Sequence, residues 1–91
     1  MNIRFADGDL EECATDVRKA VRRWGPVVGD RYSQRLAIIS SVPTFEGLFT
    51  YRLLRLHKLS GDRQNTYAAT IHGRWRLILR KISETEFWLR E

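Results

Sequence analysis

The chain has one cysteine, two prolines, one methionine and two histidines among its 91 residues. A lone thiol excludes an internal disulfide, which suits a reducing cytoplasm. Cys13 falls on the apolar side of a predicted helix, so a buried, inert thiol is expected there rather than a nucleophile. Two histidines and one cysteine, widely spaced, give no metal-ligating set. No apolar run approaches the roughly 18 residues that a membrane span requires. The first residues, MNIRFADGDLEE, are too acidic and polar for a secretory leader. Repeats, low-complexity tracts and linkers are also missing, so residues 1–91 read as a single domain.

Acids are scarce in one place. Residues 52–81 carry eight Lys and Arg side chains against a single acid, Asp62, and both histidines lie in the same stretch. Residues 1–30 hold five bases and six acids, whereas residues 31–91 hold eleven bases and five acids. The formal charge of +5 is therefore concentrated in the second part of the chain. A polyanion is the natural partner of such a surface. Histidine adds the possibility of proton transfer near neutral pH.

The hydropathy pattern separates helices from strands. Asn2–Phe5 alternates and predicts a short first strand. Asp7 and Asp9 are N-cap candidates, and Leu10, Cys13, Ala14, Val17, Ala20, Val21 and Trp24 recur at helical steps. Gly25-Pro26 ends that helix. A second helix is expected from near Asp30 to Val42, with Tyr32, Leu36, Ile39 and Val42 as its stripe and Arg31 and Arg35 on its polar side. Residues 44–51 read as a connector packed on the core. Beyond them the pattern has period two, with Leu54 and Leu56, then Tyr67, Ala69 and Ile71, then Trp75, Leu77 and Leu79, then Phe87 and Leu89. The expected class is α+β, with two N-terminal helices packed on one face of a four- to five-stranded, mainly antiparallel sheet. Its open face would present Arg55, His57, His72, Arg74, Arg76 and Arg80. Trp75 is expected in the core, and Trp88 toward solvent, where an RNA base could stack on it.

The run Leu56, His57, Leu59, Gly61, Asp62, Arg63, followed by Trp75, Arg76 and Ile78, resembles the core signature of the HigB-type killer toxins of the RelE/ParE superfamily. The short first strand, the Asp-Leu-Glu-Glu helix start and the Gly-Asp-Arg-Tyr second helix extend the likeness over nearly the whole chain. The resemblance implies a RelE-like fold and a cytoplasmic endoribonuclease that cleaves messenger RNA on the ribosome. It implies neither a metal nor another cofactor, and it implies a HigA-like helix-turn-helix antitoxin as partner. By that analogy His57 is the catalytic histidine and Arg76 the phosphate-binding arginine.

Two departures accompany the resemblance. Ser60 stands where many members have lysine, and the closing Asp-Tyr-His or Asn-His-Tyr motif does not occur before Glu91. His72 is a candidate second proton carrier in its place. Arg55, Lys58, Arg63, Arg74 and Arg80 are candidate RNA and phosphate contacts. A weakly catalytic or degenerate member that binds antitoxin or ribosome, a ParE-like gyrase inhibitor and a plain basic RNA-binding module are the alternatives.

Overall fold

A computed structural model describes residues 1–61 and 64–91. The chain runs β1 (Asn2–Phe5), α1 (Gly8–Thr15), α2 (Val17–Ser41), two 3-10 turns (Glu46–Thr50 and Arg52–Leu54), β2 (His57–Lys58), β3 (Thr66–His72), β4 (Trp75–Ser83) and β5 (Glu86–Arg90). The five strands form one sheet in the order β1-β5-β4-β3-β2. The sheet is mixed, because β1 lies parallel to β5 while the other three pairings are antiparallel.

Both helices start on aspartate caps. The Asp7 carboxylate accepts the Leu10 N–H at 2.7 Å, and the Asp16 carboxylate accepts the Arg18 N–H at 3.0 Å. The second cap corrects the expected single helix over Leu10–Trp24. Asp16 takes extended backbone angles (φ −132°, ψ 102°) and serves at once as the end of α1 and the start of α2. A short aspartate side chain competes for backbone N–H groups and breaks the helix even though the apolar periodicity continues through it.

The second helix also begins earlier than Asp30. The chain leaves helical geometry only at Gly25 (φ 87°, ψ 169°), in a region of backbone space that is essentially glycine-only, and Pro26 restarts the helix at once. Proline is well suited to a first helical position, where its missing N–H costs nothing. A straight helix of 25 residues would be ~37 Å long, more than the longest molecular dimension of 32 Å. The bend at Gly25 folds the two arms of α2 onto each other, so that Gly29 lies against the backbone of Ala20 and Val21.

The core sits between these helices and one face of the sheet. Tyr32, Leu36 and Ile39 of α2 pack with Ala69, Ile71, Leu77, Leu79, Phe87 and Leu89 of the strands, closed at one end by Phe45 and Leu48 of the connector. The expected alternation of β3, β4 and β5 is therefore present, except at Trp75. A register shift between Thr70 and His72 puts one extra residue on β3, and Trp75 emerges at the hairpin end, 47% exposed rather than buried. Residues 54–57 also depart from the expected strand, since Arg52–Leu54 is a 3-10 turn and Arg55 is left-handed (φ 45°). Only His57 and Lys58 pair with β3 there.

Cys13 is buried, and its thiol is pushed up by burial and by the neighbouring Asp9 charge, as expected of an unreactive group. No helix among the described residues is long and apolar enough to cross a membrane.

One buried polar contact ties the helices together. The Tyr32 hydroxyl donates to the Leu10 carbonyl at 2.8 Å, and its ring packs at a tilt against Trp24, with the centroids 4.6 Å apart. Burial pushes the Tyr32 phenol well above its ordinary pKa. Tyr32→Phe removes this buried hydrogen bond while the Leu10 carbonyl keeps its place in α1, and the expected loss is about 1 kcal/mol of stability. Urea unfolding checks this, with exposed Tyr51→Phe expected to be neutral.

Candidate functional site

Strand pairing assigns each candidate to a face. Cross-strand partners point to the same side of a sheet. Leu77, Leu79, Phe87 and Leu89 point toward the helices. The opposite face therefore carries a row of His57, Ala68, Ile78 and Arg90, a second row of Thr66, Arg80, Trp88 and Arg4, and the pair Thr70 and Arg76. Helices cover the other face, so this one is open.

His57 and Arg76 share this open face and both are exposed. They lie two strand spacings apart and two residues along, which puts roughly 12 Å between their Cα atoms. Ala68, a small, buried residue of β3, lies between their strands, and each side chain is turned to backbone carbonyls close to it in the chain. The His57 ring faces the Arg55 carbonyl at 3.0 Å through Nδ1. A carbonyl can only accept, so Nδ1 carries the proton, and Nε2 of the neutral ring is free to take one. The Arg76 guanidinium donates to the carbonyls of Gly73 and Trp75 at 2.5 and 3.2 Å.

Farther along the face, Ile78, Arg80, Trp88 and Arg90 line a groove of about 460 Å³. Trp88 is 36% exposed, with the Arg4 guanidinium 5.8 Å from its ring. An aromatic plane flanked by arginines is suited to a stacked base and its phosphates.

The remaining candidates are not on this face as one set. Lys58 pairs with Tyr67 and so points to the opposite side of β2 from His57. Arg74 lies in the two-residue β3–β4 turn, where Gly73 (φ 56°) supplies the positive angle. Arg63, with Asp62, lies outside the described residues. Arg55 and His72 line a second cavity at the edge of β3, together with Arg31, Arg35 and Arg52. Arg31 and Arg35 read from the sequence only as a polar helix side, and Arg52 only as one cation of the basic stretch 52–81. The shortage of acids in residues 52–81 is a signal for Arg52 alone, since Asp30 directly precedes Arg31.

One ion pair, Arg4 with Glu86, lies at the β1–β5 end of the open face, and the others lie elsewhere. Acids pair with Arg4, Arg18, Lys19, Arg23 and Lys81. Among the described residues no acid pairs with Arg31, Arg35, Arg52, Arg55, Arg76 or Arg80. Nor do three His, Cys, Asp or Glu side chains gather as a metal-ligating group among them.

Fold and site together define a small α+β domain whose open sheet face is basic and free of a covering helix. Comparison with protein-family models and with curated proteins gives no match.

Proposed function

We propose that the chain is the toxin of a type II toxin–antitoxin pair, a ribosome-dependent endoribonuclease of the RelE-like kind acting on messenger RNA in the cytoplasm, with a HigA-like helix-turn-helix antitoxin as partner. The observation that carries the proposal is the placement on one open face of an exposed imidazole, oriented by its Nδ1 contact to the Arg55 carbonyl, and an arginine that pairs with no acid among the described residues. The HigB-like signature, which contains both residues, is the basis for giving them these roles.

In this reading His57 Nε2 takes the proton of an RNA 2′-hydroxyl. The 2′ oxygen then bonds to phosphorus as the bond to the 5′ oxygen breaks. The products are a 2′,3′-cyclic phosphate and a 5′-hydroxyl, the latter protonated by water. Arg76 exchanges its two backbone carbonyls for the phosphate oxygens and stabilises the charge that builds on them. Arg80 and Trp88 hold the strand beside the reacting group.

A second reading has a specific observation behind it. His72 lines the cavity at the β3 edge, one strand removed from Arg76, and the open face holds a single proton carrier among its described residues. A protein that binds ribosome or antitoxin and cuts slowly fits that arrangement. Mapping of message 5′ ends in cells expressing the chain separates the two. The proposed nuclease yields breaks spaced by codons within translated regions. Intact messages overturn cutting, and intact messages with failed DNA supercoiling indicate a gyrase inhibitor instead.

A further inference from the structure

The cavity at the edge of β3 is built unlike the open face. It has a volume of about 490 Å³ and lies beyond the start of β2, whose pairing begins at His57 opposite Ala68 and leaves Thr70 and His72 at a free strand edge. Two arginines reach it from α2, Arg31 and Arg35, and two from the 3-10 segment, Arg52 and Arg55. His72 closes the set, and no acid is among the described residues lining it.

Arg35 is the informative member. It is 7% exposed, and its Nε is buried without a hydrogen-bond partner. A buried guanidinium keeps its charge, and a buried charge without partners is costly unless something supplies oxygens to it. Burial and the adjacent Arg31 charge both push Arg35 down from its ordinary value.

We infer that this cavity is a binding site for a phosphoryl group, held by the Arg31, Arg35, Arg52 and Arg55 guanidiniums. Four fixed positive charges call for more than one negative charge, and a carboxylate offers only one. A phosphoryl group presents three or more oxygens in a tetrahedral array, which suits several planar forks converging from two elements. The volume admits a diphosphate or a nucleotide's phosphates with water. The same chemistry is available from a free polyphosphate and from the backbone of a nucleic acid. The inference stands whether or not the chain cuts RNA, because it needs no turnover.

The test uses the full chain with two probes, pyrophosphate and a tetranucleotide with 2′-deoxy sugars that cannot be cleaved by 2′-hydroxyl attack. Thermal unfolding and the Nε–H resonance of Arg35 are followed at constant ionic strength. Pyrophosphate at about 100-fold above its Kd is expected to raise the Tm of the wild type by roughly 10 °C or more and to shift that resonance. Arg22→Met, which removes an exposed charge elsewhere, keeps the response. Arg35→Met and the exposed-site variant Arg31→Met lose most of it. A response to pyrophosphate identifies free phosphate as a sufficient ligand, and a response to the tetranucleotide alone identifies the nucleic-acid backbone. Equal stabilisation of wild type and both pocket variants, or an Arg35 resonance unmoved by either probe, overturns the site.

Discussion

His57→Ala is expected to slow ribosome-dependent message cleavage by about 10²- to 10⁴-fold, the usual cost of losing a positioned proton carrier. Arg76→Ala is expected to cost about 10²- to 10³-fold, because in the proposed reaction Arg76 donates to the charge that builds on the phosphate. Neither substitution should disturb the fold. Both side chains are exposed, and their hydrogen bonds run to nearby backbone carbonyls that solvent can satisfy. The thermal transition of each variant should therefore stay within a few degrees of the wild type. Arg76→Lys keeps the charge but loses the two-pronged grip, and it should recover only part of the rate. Because the two groups act on one phosphate, the double variant should be less impaired than the product of the single effects. Growth arrest and single-turnover cleavage on stalled ribosomes both read the outcome. Two singly substituted proteins that cut at the parental rate would remove His57 and Arg76 from the mechanism.

The parts of this site that could be anticipated are those governed by simple periodicity. Leu77, Leu79, Phe87 and Leu89 alternate because one sheet face is buried and the other is not, and that condition writes itself directly into the sequence. Arg76, Arg80 and Trp88 then fall on the open face without further information. His57 reaches that face by a different route from the expected one. The anticipated strand from Leu54 is a 3-10 turn, and a two-residue pairing with β3 sets the imidazole's direction. Trp75 was misplaced because a single extra residue on β3 changes what lies opposite it, and no local preference announces that bulge. Arg35 illustrates the limit more sharply. Its spacing from Arg31 indicates only a shared helix side, whereas its burial follows from the approach of α2, β3 and the 3-10 segment from distant points in the chain. Long-range packing of this kind leaves no periodic trace.

Gly29→Ala is expected to be the most damaging small substitution in the helical layer, lowering stability by about 3 kcal/mol or more. An added Cβ would lie 2.5 Å from the Val21 nitrogen and 2.6 Å from both the Ala20 carbonyl carbon and the Val21 Cα. All three are backbone atoms, so no side-chain rotation can relieve the contact, and the two arms of α2 must separate. Ala20, Val28 and Tyr32, each buried beside this crossing, would lose packing together, and the Tyr32 bond to Leu10 would stretch. A domain of this size has on the order of 0.1 kcal/mol of stability per residue, so the loss is a large share of the total and corresponds to a Tm decrease of about 15 °C. Gly8→Ala supplies the contrast. Gly8 lies in the first turn of α1 with nothing within 4 Å of an added Cβ, and alanine there should be neutral or slightly stabilising. Calorimetry of the two variants decides the matter, and a Gly29→Ala protein that melts within a few degrees of the wild type would mean that the arms of α2 do not meet as closely as the backbone geometry requires.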